Sequence, residues 1–575
     1  MTSNNEIWKP LQRFYGLLAL DKKDISYIYL YAIFGGIITL SLPLGIQAII
    51  GLIAGGAISN SLYILVGVVT LGTALTGILK IMQLVVAETL QRRIFVRSAF
   101  EFSLRLPQIR LESLRNEYPP ELVNRFFDTL TLQKGMPKLL MDFSTAILNI
   151  LFGLVLIAFY HPFFAFFGII LLLIVGLIFR TTGPGGLQTS LKESKYKYAV
   201  AHWLEEIARA NTTFKLSNGD RFSIQKTDGL VVNYLDARKA HFRVLMTQFI
   251  SMVGLKTLVT AALLLLGSIL VVQNQINIGQ FVAAEIVVLL VIAAVEKLIL
   301  SMETIYDMLT ALEKIGAVMD IPLDVDGGIP FSEVDTGQGI AISLNDIRFK
   351  FKDDINYTLR NITMNVQPNE RICIAGYNRA GKSTLIRLLS GFFHEYEGNI
   401  TFNKMPITNL NIRDLHNKIG EFTSDLDIFE GTIFENITLG QIDTTMKEVL
   451  EISELIDLSS FVQQIPLGYQ TPLVPGGKNI PGSVRNKIIL ARVLITQPQL
   501  ITLEEVFTNM ETDDKTKMID LLTDRNHNWT LIGISDDVEF AQKCDRILIM
   551  RKGKIIEEGN YEAIKHSAHF KQVFK

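Results

Sequence analysis

Six apolar stretches, at about 25–53, 61–86, 139–160, 161–180, 248–273 and 278–306, fall within the first 310 residues of this chain, and nothing comparable follows. Crossing a bilayer takes about 20 mainly apolar residues, and in lipid each span must satisfy its own backbone hydrogen bonds as a helix. The first half is therefore constrained to a membrane bundle of six helices, and the second half has the composition of a soluble domain. Hydrophobic residues at 49 % against 19 % charged agree with that division. About 24 residues precede the first span, which is expected, from its late start and its length, to be no cleaved signal peptide and to follow no upstream domain. It is expected to be an anchor.

Charge sets an orientation. Lys9, Arg13, Lys22 and Lys23 precede the first span, and Arg92, Arg93, Arg97, Lys192, Lys195 and Lys197 lie in the long connections after spans two and four. The short loops 54–60 and 274–278 carry no Lys or Arg. Because cytoplasmic flanks carry the positive excess, both termini and both long connections are expected in the cytoplasm. The connections 87–138 and 181–247 are polar with helical spacing and read as stalks. A formal net charge of -2 excludes the basic excess of a nucleic-acid binder. Cys373 and Cys544 have no metal-ligand spacing and read as buried thiols in a reducing compartment.

Lys80, Asp142, Lys256, Glu285 and Glu296 are ionisable residues inside the spans. Such groups face a bundle interior or cavity, which leaves two readings open: they line a substrate path, or those near span ends already stand in water. Lys256 and Glu285 look deep, and a pairing between them is one outcome.

The sequence divides into an N-terminal segment 1–24, a membrane domain 25–310, a linker 311–340 and a soluble domain 341–575. Within the linker, 321–339 (IPLDVDGGIPFSEVDTGQG) is Pro/Gly/Asp-rich and aperiodic. Beyond it, RICIAGYNRAGKSTLIRLLSG sets a short apolar strand, Ile372 to Ala375, before a glycine loop and an amphipathic helix. The pattern G-x-x-x-x-G-K-[ST] is met by Gly376, Gly381, Lys382 and Ser383. Small residues let backbone N–H groups wrap phosphates, Lys382 reaches the β- and γ-phosphates, and the Ser383 hydroxyl ligates Mg²⁺. A second strand ends in two acids, PQLITLEEVF. Glu504 is expected to hold Mg²⁺ through water and Glu505 to act as general base on the attacking water. TLIGIS reads as a core strand, and DRILIMRKGKIIEEG as a hairpin turning at Lys552-Gly553.

Six spans with long connections, followed by this P-loop cassette, resemble a half-transporter of the ATP-binding cassette (ABC) exporter superfamily. With LPLGIQAIIGLI in its first span, the membrane half is most similar to the ATPase component of bacterial type I secretion systems and related peptide and toxin exporters. The peptidase domain of some relatives has no counterpart in this sequence. The resemblance implies a six-helix exporter membrane domain with an α/β P-loop domain, ATP and Mg²⁺ as ligands, and a dimer, homo- or heteromeric. It also implies a bacterial inner (plasma) membrane location, a lipid environment and, in a Gram-negative host, a periplasmic adaptor and outer-membrane channel.

Carried over by motif, Phe351 stands where an aromatic ring stacks on adenine, and Gly376, Tyr377, Asn378, Arg379, Ala380, Gly381, Lys382, Ser383 and Thr384 form the phosphate loop. Arg379 replaces the usual third glycine. Ser424 replaces the usual Gln that senses Mg²⁺, while Asp425 keeps its identity. Glu504 replaces the Mg²⁺ aspartate, Asp536 the switch His, and Glu511 the aspartate closing the loop after the base. The five places of the L-S-G-G-Q signature hold Ile480, Pro481, Gly482, Ser483 and Val484 before an intact helix, RNKIILARVL. Proline offers neither the hydroxyl nor the N–H that the signature Ser gives to the partner's γ-phosphate, yet it suits a first helical turn.

Removing one preorganised donor to developing charge costs about 10²–10³ in rate. With Gln, Ser and His replaced together, a homodimer is expected to hydrolyse ATP slowly while still binding it. Three readings follow: a transport subunit paired with a better-conserved half, an active homodimeric exporter, or a non-transporting pseudo-ATPase that regulates or scaffolds a membrane assembly. The stretches 109–123 and 210–220 match the family's coupling helices, expected to dock near the Ser424 loop.

Overall fold

The protein is described from a computed structural model, which covers residues 3–55, 60–115, 118–324, 327–352, 354–423, 427–441, 444–507 and 510–574. Ser424 and Asp425, most of the loop 54–60, and the side chain of Lys9 lie outside the described residues. The chain forms two compact units, one of 1–108 and 116–321, the other of 109–115 and 322–575.

The first unit is helical throughout: α1 (Ser3–Leu20), α2 (Lys22–Thr39), α3 (Ser41–Ala54), α4 (Asn60–Arg105), α5 (Pro119–Asn124), α6 (Asp128–Ala158), α7 (Pro162–Arg209), α8 (Asn211–Leu216), α9 (Asp220–Val272) and α10 (Ile278–Met319). Six helical stretches among the described residues are long and apolar enough to cross a membrane, in the places the sequence reserves for them. The first is divided between α2 and α3. The stalks are continuous with the spans: α4, α7 and α9 run 46, 48 and 53 residues. At about 1.5 Å per residue each exceeds twice a ~30 Å hydrocarbon core, so the excess stands outside lipid.

Small residues set the helix packing. A Cβ on Gly186 of α7 would stand 2.2 Å from the Tyr306 ring of α10, and one on Gly153 of α6 2.8 Å from Val291 of α10. Residues 311–319, assigned to the linker from sequence, instead extend α10, because Ala311, Leu312 and Val318 continue its buried face. The pairing considered for Lys256 and Glu285 is also corrected. Lys256 Nζ meets Glu296 at 3.3 Å, and Lys297 reaches Asp142 at 2.7 Å, so both acids near the span ends are held by lysines on neighbouring helices.

The second unit is α/β. Strands β1 (Ile342–Phe349), β2 (Leu359–Val366), β4 (Glu397–Phe402) and β5 (Met405–Pro406) make an antiparallel sheet in the order β2-β1-β4-β5. Strands β3 (Arg371–Gly376), β6 (Ile419–Thr423), β9 (Leu500–Glu504), β10 (Thr530–Ile534), β11 (Arg546–Arg551) and β12 (Lys554–Gly559) make the central sheet in the order β12-β11-β3-β10-β9-β6. A short ladder joins β7 (Gly431–Thr432) to β8 (Pro472–Leu473). In the central sheet β6, β9, β10, β3 and β11 are parallel and only the β11–β12 hairpin is antiparallel.

Burial on both faces explains why those parallel strands read as unbroken apolar runs. All five residues of β10 are buried, and the hairpin turns at Lys552 and Gly553 with φ 49° and 77°, a two-residue turn with both central residues left-handed. Arg371 anchors the lower end of β3. Its buried guanidinium donates to the carbonyls of Asn369, Trp529, Asp524 and His527 at 2.6, 2.6, 2.7 and 3.1 Å, so the charge is spread over a loop that it pins. Cys373 and Cys544 are buried free thiols, and burial pushes both pKa values up.

Candidate nucleotide site

The loop leaving β3 carries the site. Three of its residues have positive φ: Gly376 at 153°, Arg379 at 61° and Gly381 at 93°. Gly376 is required by space as well as by angle, since a Cβ would lie 2.3 Å from the Met550 carbonyl oxygen. Gly381 is the N-cap of the helix Lys382–Leu389, whose Leu385, Ile386, Leu388 and Leu389 are buried. That packing aims the free N–H groups of the first turn at the loop, a ready anion site. Lys382 folds over the same loop, its Nζ donating to the carbonyls of Gly376 at 3.0 Å and Tyr377 at 3.4 Å.

The acids come from the next strands. Glu504 ends β9, opposite Thr423 of β6 and Ile534 of β10, and Glu505 follows with φ 53° while its N–H donates to Ile534 at 3.0 Å. The left-handed turn at Glu505 separates the two carboxylates in direction. Beneath them lies an acid that sequence reading passed over: Glu421 of β6, whose pKa is pushed up to about 7 by burial, with the charge of Glu504 adding to the shift and Arg387 opposing it. Its only sequence signal is an acid inside an apolar strand.

An open cavity of about 940 Å³ gathers Phe351, Asn378, Arg379, Ala380, Gly381, Lys382, Ser383, Thr384 and Glu505. Of the residues singled out from sequence, Gly376, Tyr377 and Glu504 do not line it. Gly376 lies under the loop. Tyr377 turns away, its hydroxyl bonded to Gln572 and 3.4 Å from His569 on the last helix, Ala568–Val573. Arg115, Thr358, Lys552 and Gly553 line the cavity without having been assigned to it. The β11–β12 hairpin is thus wall as well as scaffold, because the Gly553 N–H donates to Ala380 of the loop at 3.0 Å.

Family comparison assigns both units. Residues 25–295 match the ABC transporter transmembrane region, and residues 359–508 match the ABC transporter domain. The chain is an ABC exporter half-transporter. Among its relatives are the Bacillus subtilis uncharacterized ABC transporter ATP-binding protein YfiB, 26 % identical over 41 % of each chain. The ATP-dependent lipid A-core flippase of Legionella pneumophila (strain Paris) is 22 % identical over 70 % of this chain and 68 % of its own. The Leuconostoc mesenteroides mesentericin-Y105 transport/processing ATP-binding protein MesD is 24 % identical over 62 % of this chain. The match spans 49 % of MesD and 41 % of YfiB, so less than half of each relative is represented. A solved structure described as a bacterial Atm1-family ABC exporter with ATP bound superimposes with a TM-score of 0.85 at 17 % identity, covering 95 % of this chain and 96 % of that one. At that identity it establishes the fold.

The half-transporter's other motif residues are not among those that line the P-loop cavity. The signature helix is Gly482–Leu494, with Val484, Ile488, Ile489, Leu490 and Ala491 buried. Arg492 ties it down, donating to the Asn436 carbonyl at 2.7 Å and the Asp427 carbonyl at 3.1 Å. Pro481 is its N-cap, at φ -58° and ψ 148°, and makes no side-chain cap bond. Asp536 is exposed just after β10. Its neighbour Asp537 caps the following helix and meets Lys515 at 2.7 Å; burial works against the charged form, but these bonds outweigh it and hold the pKa below its usual value. Glu511 is the N-cap of Thr512–Thr523 without a side-chain cap bond.

The residues present fit a magnesium nucleotide. The cavity is within the usual size range of ligand sites and offers an aromatic ring, a phosphate loop in left-handed backbone, an ammonium, a hydroxyl and a carboxylate. Among the described residues no cluster of three or more His, Cys, Asp or Glu is arranged for a metal. Mg²⁺ keeps most of its waters and is bound by one or two protein groups together with phosphates; Ser383, which lines the cavity, and Glu504, which does not and would act through water, are the candidates. When bound, the ion would neutralise charge on the phosphates.

Proposed function

We propose that this chain is the ATP-binding half of an exporter dimer in the bacterial plasma membrane, with both termini cytoplasmic, and that it contributes asymmetry by binding nucleotide well and hydrolysing it slowly. One observation carries the reading. The P-loop keeps its strained binding geometry around Lys382 and Ser383, whereas the signature loop has become Pro481 at an ordinary helix N-cap. In the family's dimer each signature loop faces the partner's nucleotide, so the deficit would fall on the partner's site rather than on this one. The exchange of Gln, Mg²⁺ aspartate and His for Ser424, Glu504 and Asp536 would slow the site in this chain.

Phe351 and the phosphate loop would hold ATP, Ser383 and Glu504 would hold Mg²⁺, and Glu505 would position and deprotonate the attacking water. For cargo we propose a peptide or an amphipathic lipid-like molecule, supported by relatives named as a mesentericin-Y105 transport/processing ATP-binding protein and a lipid A-core flippase. A type I secretion assembly, with an adaptor and outer-membrane channel, is the specific form of the peptide reading. The test is nucleotide binding and turnover by the purified chain, alone and with a co-purifying half-transporter. Binding with little turnover, rescued by the partner, is expected. Lys382→Ala should weaken binding about 10- to 100-fold through loss of a charge-assisted contact. Fast turnover by the chain alone would replace this reading with an active homodimer, and absence of nucleotide binding would favour a scaffolding role.

A further inference from the structure

The family resemblance implies that the Phe351 ring stacks on the base, but the structure puts a second group on that ring. Residues 109–115 follow α4 in the chain yet pack as part of the second unit. Arg110 Nε donates to the Leu323 carbonyl at 2.9 Å, and Glu112 Oε1 accepts from the His394 N–H at 2.6 Å. The segment ends at Arg115, whose guanidinium carbon stands 3.8 Å from the centroid of the Phe351 ring. Its Nη1 donates to Asp354 Oδ2 at 3.2 Å. Arg115, Phe351 and Asp354 line the same cavity as Lys382 and Ser383.

A guanidinium at that height is in van der Waals contact with the ring, which leaves no room for a planar base between them. The same face therefore takes either Arg115 or a base. Packing on the remainder of Phe351 is aromatic: Phe349 and Phe393 stand perpendicular to it at centroid distances of 4.9 and 5.6 Å. The Arg115 and Asp354 side chains keep 42 % and 39 % exposure, so the guanidinium has solvent to move into.

Resting on the nucleotide reading of this cavity, we propose that Arg115 is a displaceable latch that competes with the nucleobase for Phe351. Nucleotide binding then breaks the Arg115 contacts with Phe351 and Asp354 and frees the end of the 109–115 segment. Both contacts are weak, a cation–π pair and a half-exposed ion pair, so the latch tunes affinity without closing the site. Linkage makes the effect reciprocal: whatever factor the latch removes from base binding, the base removes from latch occupancy.

The competition concerns the base and not the phosphates, which supplies the test. ATP and inorganic tripolyphosphate, each with Mg²⁺, are titrated into the full-length protein and its variants in detergent. Arg115→Ala should raise ATP affinity about three- to tenfold and leave tripolyphosphate affinity unchanged, with Asp354→Ala shifting ATP in the same direction by less. Amide exchange of 109–115 in the unmodified protein should rise with ATP and not with tripolyphosphate. Unchanged ATP affinity in Arg115→Ala, or an equal loss for both ligands marking Arg115 as a phosphate contact, would overturn the latch. Lys382→Ala reports separately: if it weakens neither ligand, the nucleotide reading itself has failed.

Discussion

The P-loop and the loop at Pro481 both open a helix with a buried face, yet their backbones differ. At the P-loop the backbone stays in left-handed conformations through Gly376, Arg379 and Gly381, although Arg379 bears a side chain that disfavours one of them. Strain persists only where the surroundings over-determine it, and it concentrates at functional sites. At the signature loop, Pro481 sits in relaxed extended backbone and starts the helix without a donor of its own. One loop holds a demanding backbone shape at a cost in stability, while the other opens its helix in relaxed backbone. If the proposed function holds, the pair would mark the P-loop as the retained nucleotide contact and the signature loop as the released one.

The sharpest way to break that comparison is at Glu505. If residual hydrolysis runs through this cavity, Glu505→Gln should lower turnover by about 10²–10⁴, the usual contribution of a general base, with nucleotide affinity nearly unchanged. Turnover that survives the change would move the chemistry elsewhere and leave the retained P-loop without the role given to it.

Pro481→Ser tests the other loop. It restores a hydroxyl and an N–H at the N-cap, and Ser is among the preferred residues there, worth about 1 kcal/mol of helix stability. Turnover of the assembled dimer should rise roughly tenfold, less than the full value of one donor because Asp536 and Ser424 remain. A more stable protein with unchanged turnover would mean that the helix start matters and the lost contact does not.

Glu421 links site and fold through pH. Its folded pKa is about 7, above the ordinary 4.5, so the folded state holds a proton that the unfolded chain releases. Stability from this group is complete below about pH 4.5 and declines as pH rises towards 7, with no further change above. Glu421→Gln should flatten that part of the stability profile, measured as the unfolding midpoint in detergent from pH 4.5 to 8. A slope that survives would assign it to another group.

How far these regions were legible in advance follows from what each signal encodes. Spans, stalks, the β3 strand, the P-loop and the Lys552-Gly553 hairpin are written in local pattern, because lipid, pleat and positive φ each demand particular residues at fixed spacing. Long-range partners are not. Nothing near Lys256 distinguishes Glu296 from Glu285, and both lie about one helix away in sequence. Arg115 reaches the cavity only because the chain returns from α4 into the second unit, more than 200 residues ahead of Phe351. Tyr377 sits inside the motif yet faces the C-terminal helix, because a motif fixes the backbone path at a position without fixing the direction of its side chain.

Arg379 gives the smallest expected effect and the finest discrimination. Its left-handed φ of 61° costs a non-glycine residue about 1–2 kcal/mol, part of which Gly would return through its freer unfolded chain. Arg379→Gly should therefore stabilise the protein by roughly 0.5–1 kcal/mol, seen as a higher unfolding midpoint. The side chain also lines the nucleotide cavity, so its charge is placed to act on phosphates. If tripolyphosphate affinity falls as the midpoint rises, the arginine is held against its own strain by the ligand, which is the sense in which the P-loop differs from the loop at Pro481. If the midpoint rises and affinity is unchanged, the P-loop has begun the same drift as the signature loop, and the difference between the two is one of degree.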